Sequence, residues 1–233
     1  MLPNKNKYTK NIPAYKGNRY VISDIHGCVR TFDALIKKID LQLDDQLFLL
    51  GDYIDKGNNC KGTINYIIDL SEHFQVFPLK GNHEDDFEVM LDINSERLFQ
   101  SYLEKQPNSF LNDDFSVDDK YLNFIKSLPY YFELENHFIV HAGFNFESEN
   151  HLEDTEEMLW IRDFEYDKNK ARNKTIIFGH TIYDLPYIKT CIENDKKIIP
   201  LDNGVFYTDE KELGNLLCLN IDTYELIIQK NIE

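Results

Sequence analysis

The stretch Gly51-Asp52-Tyr53-Ile54-Asp55-Lys56-Gly57 comes directly after the apolar run Leu47-Phe48-Leu49-Leu50. No other feature constrains the chain as much. Such a run ending in Gly-Asp reads as a short buried β-strand that delivers a carboxylate at its carboxyl edge. In open α/β sheets that edge is where ligands bind. Four other places repeat the design. Arg19-Tyr20-Val21-Ile22 leads into Ser23-Asp24-Ile25-His26-Gly27, and the run from Phe74 to Leu79 leads into Gly81-Asn82-His83-Glu84. His137-Phe138-Ile139-Val140 ends in His141-Ala142-Gly143, and Thr175-Ile176-Ile177-Phe178 ends in Gly179-His180. A lone Asp or His at a strand end is usually a turn former; five such turns imply a shared centre.

Between these strands the pattern is helical. Phe32, Leu35, Ile36 and Ile39 define an amphipathic helix over Thr31 to Ile39, and a second runs over about Thr63 to Ser71. Strand and helix alternate up to this point, which predicts an α/β fold with a parallel sheet. Pro78 is expected at the end of its strand, where no ladder donor is needed. Residues 84–127 are acidic and helical in pattern, broken at Pro107-Asn108 and Asp113-Asp114, and read as a helical excursion beside the site. The tail (Lys197-Ile198-Ile199, Val205-Phe206-Tyr207, Leu216 to Leu219, Glu225 to Ile228) reads as an antiparallel run with a turn at Asn203-Gly204. A single domain over 1–233 is expected.

Composition excludes several classes. With 233 residues, 42% of them hydrophobic, the chain can bury a full core unaided. A formal charge of −16 argues against a nucleic-acid surface, which needs a basic stripe. It leaves anionic small substrates open, because bound cations would dominate the local field. The four cysteines form no CxxC pair, so a disulfide framework or thiolate zinc site is not expected; Cys28, near a helix start, is a weak candidate for a reactive thiol. Met1 to Lys16 lacks an apolar leader core, and no run approaches the ~18 residues of a membrane span. A cytoplasmic setting without membrane partners is the expectation, with the oligomeric state left open.

Asp24, His26, Asp52, Asn82, His141 and His180 offer carboxylate, amide and imidazole donors. That set suits Mn²⁺, Fe²⁺ or Zn²⁺. Asp24 and His26 can point at one ion, Asn82, His141 and His180 at a second, and Asp52 can share its two oxygens between them. Two ions ~3.5–4 Å apart generate hydroxide at neutral pH and clamp an in-line displacement at phosphorus. His83, beside ligand Asn82, is placed to protonate a leaving oxygen, with Asp55 orienting its ring. Lys56 and Arg162 are candidates for the phosphoryl oxygens, although a surface salt bridge is a plain alternative for Arg162. Asp202 reads equally as a turn carboxylate and as a support for a ligand histidine.

The five motifs, in this order, resemble the signature of the phosphoprotein phosphatase family of metallophosphoesterases, most closely the compact bacterial and phage serine/threonine phosphatases. Trp160-Ile161-Arg162 and Leu201-Asp202-Asn203-Gly204 are similar to segments of that branch. The resemblance spans roughly Tyr20 to Ile228. It implies a calcineurin-like β-sandwich flanked by helices (four layers, α/β/β/α) and two divalent ions, with Mn²⁺ the usual activator. It also implies hydrolysis of phosphoserine or phosphothreonine in proteins by direct attack of a metal-bridging hydroxide. Ser23 stands where many members carry glycine, and Lys56 where they carry arginine; lysine keeps the charge but loses the bidentate fork. The alternative is hydrolysis of a dinucleoside polyphosphate such as diadenosine tetraphosphate, since that branch resembles the same motifs. A remoter one is an inactive metal-binding scaffold.

Overall fold

The computed structural model describes residues 8–106, 110–112 and 114–233. The expected breaks at Pro107-Asn108 and Asp113, and the first seven residues of the polar arm, lie outside the described residues. The chain opens with β1 (Arg19–Ile22), α1 (Val29–Ile39), β2 (Gln46–Leu49), α2 (Cys60–His73) and β3 (Gln75–Pro78). β1 pairs parallel with β2, and β2 with β3. Pro78 closes β3, an edge strand, as expected for a residue without a ladder donor.

The next segment holds α3 (Asn82–Ile93), α4 (Glu96–Lys105) and α5 (Asp119–Ser127). After it come β4 (Tyr131–Glu133), β5 (His137–Val140), α6 (Thr155–Trp160), β6 (Thr175–Phe178), α7 (Leu185–Glu193), β7 (Ile198–Pro200), β8 (Asn215–Asn220) and β9 (Leu226–Lys230). Two sheets result, ordered β3-β2-β1-β8-β9 and β4-β5-β6-β7.

The two-residue period of each strand sets the layers. Tyr20, Ile22, Leu47, Leu49, Leu216 and Cys218 face outward and pack with Phe32 and Leu35 of α1, Ile64 and Ile67 of α2, Phe87 of α3 and Tyr121 of α5. Their neighbours Val21, Phe48, Leu217 and Leu219 face inward and meet Ile139, Ile177 and Ile199 of the second sheet. Phe138, Val140, Ile176 and Phe178 point to the far side, against Phe144, Phe146, Met158 and Ala171. Each such side chain contributes ~1.5–3 kcal/mol relative to exposure. The fold is therefore α/β, two packed sheets flanked by helices. Among the described residues, the outermost layer is largely irregular chain, with the six-residue α6 as its helix.

Two expectations for the tail fail. β7 is not part of an antiparallel run: it pairs parallel with β6. The crossover this needs is supplied by α7, which starts where Asp184 accepts the Tyr187 N–H (2.7 Å) and carries proline in its first turn. Val205-Phe206-Tyr207 is turn rather than strand, because the Phe206 ring packs on His26 instead (centroids 5.3 Å). Among the described residues no helix is long and apolar enough to cross a membrane.

Candidate active site

Because β1, β2 and β3 run parallel, as do β5, β6 and β7, their carboxyl ends cluster. The five motif loops all leave from those ends. Gly51 holds φ at +105°, and a Cβ there would lie 2.6 Å from the Gly81 nitrogen, so glycine is what lets the Asp52 and Asn82 loops touch. A Cβ on Gly179 would lie 2.0 Å from Asp24 Oδ1. His26, Asp52, Asp55, Lys56 and His180 all adopt left-handed backbone angles, with φ between 47° and 65°.

Asp52 sits at the centre, buried. Its Oδ2 lies 3.6 Å from His26 Nε2 and 3.8 Å from His83 Nε2, while its Oδ1 lies 3.5 Å from His141 Nε2. Each oxygen thus faces a different imidazole set. Asn82 Oδ1 is 3.0 Å from His141 Nε2 and 2.9 Å from His180 Nδ1. Asp24 Oδ2 accepts the His180 N–H at 3.0 Å. These distances join five of the six expected ligand residues, His26, Asp52, Asn82, His141 and His180; Asp24 touches them through the His180 N–H and belongs to neither close donor group.

Hydrogen bonds on the far side of two rings fix their tautomers. His26 Nδ1–H donates to the Ile54 carbonyl (2.8 Å), and His141 Nδ1–H to the Leu50 carbonyl (2.9 Å). Both Nε2 lone pairs then point at carboxylate or amide oxygens, acceptor facing acceptor, an arrangement only positive charge between them stabilises. Lys56 supplies some of it, its ammonium 3.3 Å from His26 Nε2. Burial depresses the His26 imidazole to about 3, and His180 also to about 3, where the Arg162 charge adds to the effect. Both are neutral donors at physiological pH.

The carboxylates make the same demand. Burial, then the charges of Asp202 and Asp52, raise the Asp24 carboxyl well above the usual range. Its Oδ1 is buried with no hydrogen-bond partner among the described residues. Burial pushes Asp202 up to about 6. Neutral imidazoles, an amide oxygen, crowded carboxylates and an orphaned Asp24 oxygen fit a pair of divalent cations. Among the described residues, two groups of donors lie close enough to hold an ion, His26 with Asp52 and His83, and Asp52 with His141 and His180; they share Asp52.

His83 is set apart by its partner. Its Nδ1 is 2.7 Å from Asp55 Oδ2, and its side chain keeps 21% of its accessible surface, against 3% for Asp52. It can reach a substrate. Burial disfavours its imidazolium, but the Asp55 hydrogen bond and the Asp52 and Asp55 charges outweigh that and hold its pKa above the usual histidine value. Lys56 lies over the Phe206 ring (4.6 Å). Arg162 is exposed beside His180, and the Trp160 ring stands edge-on to His180 at 6.0 Å.

Sequence reasoning gave no role to Glu84, although it lies inside a motif. It is fully buried. Its Oε2 accepts the Asp52 N–H (2.9 Å) and the Gly81 N–H (3.0 Å), and its Oε1 the Tyr53 N–H (2.8 Å). It ties the central loop to the start of α3. The signal was present: a glutamate at the third position of a helix commonly reaches back to the N-terminal backbone. Glu84→Gln turns an NH₂ toward backbone donors and leaves them unpaired, for ~1–3 kcal/mol of stability. At this chain length the melting temperature falls by about 2–12 °C; an unchanged melting curve would refute the tie.

Asp202 is the turn former that one of its two readings expects, its Oδ1 accepting the Gly204 N–H at 2.8 Å, and its charge acts on Asp24 rather than on a ligand histidine. Cys28 is not a reactive thiol: it is buried, and burial pushes it up to about 12. His137, outside the motifs, bonds the Tyr224 hydroxyl (3.0 Å).

A centre able to hold two cations at the carboxyl edges of a two-sheet α/β sandwich defines a class of hydrolase. The chain belongs to the calcineurin-like phosphoesterase family, whose model matches residues 18–217. It is thus a metallophosphoesterase, of a family that uses divalent metals. One relative, a symmetrical bis(5'-nucleosyl)-tetraphosphatase of Glaesserella parasuis serovar 5 (strain SH0165), is 26% identical over 129 residues, 53% of this chain and 44% of that protein. The chain thus spans less than half of that curated relative. Among solved structures, a provisionally assigned diadenosine tetraphosphatase matches with a TM-score of 0.69 at 18% identity, over 97% of this chain and 99% of the other. A serine/threonine protein phosphatase of Saccharomyces cerevisiae matches with a TM-score of 0.59 at 15% identity, over 97% of this chain and 84% of the other. At such identities these structures speak for the fold.

Proposed function

We propose that this chain hydrolyses a dinucleoside polyphosphate with two divalent cations held at its strand ends. The observation that carries the chemistry is Asp52, with one oxygen facing His26 and His83 and the other facing His141. Asp24, His26 and Asp52 would hold one ion, and Asp52, Asn82, His141 and His180 the second; Mn²⁺ is the first choice for these donors, then Fe²⁺ or Zn²⁺. Such a pair neutralises phosphoryl oxygens and acidifies water. Lys56 and Arg162 hold the outer phosphate oxygens as charges in a site otherwise rich in carboxylates. His83, oriented by Asp55, gives its Nε2 proton to the departing oxygen. The substrate reading is supported by the bis(5'-nucleosyl)-tetraphosphatase relatives, recognised over a stretch that includes part of this chain's motifs.

The second reading is a serine/threonine protein phosphatase, favoured by the His83–Asp55 pair. A phosphate leaving group needs little protonation, whereas an alkoxide needs a strong general acid. Side-by-side rates for Mn²⁺-loaded protein on diadenosine tetraphosphate and a phosphoserine peptide decide between them. The dinucleotide is expected to give a kcat/KM about tenfold higher or more, a transition-state difference of ~1.4 kcal/mol, with both activities abolished by chelation and restored by Mn²⁺. Faster turnover of the phosphopeptide would reverse the assignment, and chelator-resistant activity would remove the cations from it.

A further inference from the structure

Two neighbouring cavities share Asp163 and Phe164 in their walls, and charge separates them. The larger, of ≈ 860 Å³, is walled by Glu147, Glu157, Asp163, Glu165 and Asp167, a lining that repels a polyphosphate. The smaller, of ≈ 220 Å³, is bounded by Phe164, Phe178, Tyr183 and Tyr187, with Arg162 and Lys196 among its lining residues. It is aromatic and cationic in a chain of net charge −16. It also adjoins the catalytic centre. Phe178 ends β6 immediately before Gly179-His180, the Tyr183 N–H donates to the Asp202 carbonyl (3.0 Å), and Arg162 is close enough to act on His180.

The rings are arranged to receive a flat aromatic ligand. Tyr183 and Tyr187 stack (centroids 5.0 Å, planes 17° apart), and Phe178 stands edge-on to Tyr183 (6.4 Å, 86°). Tyr187 is 43% exposed although aromatic, and the Lys196 ammonium lies 5.0 Å from its ring centre. Asp163 and Lys196 add an acceptor and a donor at the edge of apolar walls, the combination that orients a small heteroaromatic ligand. We propose that this pocket is a nucleobase subsite: the base of a nucleotide packs against the Tyr183–Tyr187 wall while its phosphates reach Arg162 and the strand-end centre. The subsite deepens the dinucleotide reading and rests on it.

Calorimetric titration of the Mn²⁺-loaded protein with AMP and with ribose 5-phosphate, which differ only in the base, tests it without turnover. AMP is expected to bind about tenfold tighter or more, in the range of one base–aromatic stack. Tyr187→Ala is expected to erase that preference and Tyr187→Phe to keep it. The ratio of kcat/KM for diadenosine tetraphosphate to that for p-nitrophenyl phosphate should fall with it in Tyr187→Ala. Equal affinity of the wild-type protein for the two ligands, or a preference that survives Tyr187→Ala, overturns the subsite. AMP-selective binding without dinucleotide turnover would instead leave the subsite standing and overturn the substrate assignment alone.

Discussion

Asp52→Asn is expected to lose both cations together, and with them kcat/KM by roughly a thousandfold or more. Charge stabilisation by such ions amounts to several kcal/mol, and each ~1.4 kcal/mol is tenfold in rate. An amide has one oxygen where the carboxylate has two. Whichever way it turns, its NH₂ faces either the His26 side or the His141 side, 3.6 or 3.5 Å away. The fold should survive, because the Asp52 and Tyr53 N–H groups still tie this loop to α3 through Glu84, and an asparagine oxygen can still accept the His83 N–H that Asp52 Oδ1 takes at 3.1 Å. Elemental analysis and circular dichroism of the purified variant provide the check. Normal metal content would remove Asp52 from its bridging place.

His83→Asn should behave differently: metal content near that of the wild type, and kcat lower by ~10²–10⁴, the usual contribution of a general acid. The loss should be greatest for leaving groups of high pKa, such as an alkoxide, and small for p-nitrophenolate, which departs without a proton. The structure sharpens the test. His83 Nε2 is within 3.8 Å of Asp52 Oδ2 and falls in the same donor group as His26, so its geometry alone also admits a ligand role. Its Asp55 partner, its residual exposure and its raised pKa argue for the acid. Equal metal loss in His83→Asn and Asp52→Asn would show that His83 is a ligand.

Most of the site was legible because each side chain hangs on the end of a strand that local pattern reveals. Leu47 to Leu50 and Thr175 to Phe178 are apolar runs too short for helices, and the turn after each must sit at a sheet edge. The long-range part was harder. Lys197 to Ile199 shows strand character but nothing about direction, which is set by whether a helix precedes it. The cue was Asp184-Leu185-Pro186, a capping aspartate with proline just behind it, then Ile188 and Ile192 one turn apart. Phe206 misled because an aromatic residue suits a strand and a site wall equally well, and only tertiary contact with His26 chose. Glu84 was hidden for a related reason: a glutamate at a helix start is common, and its burial is a property of two loops together.

The left-handed turns at His26, Asp52, Asp55, Lys56 and His180 have an evolutionary corollary. Side-chain-bearing residues occupy that region at an energetic disadvantage of order 1–2 kcal/mol each, which glycine escapes. Drift toward glycine at these positions would toughen the molecule against heat while stripping it of a proposed ligand, of the Lys56 charge or of the Asp55 partner that orients His83. Its robustness and its reactivity therefore compete for the same few residues.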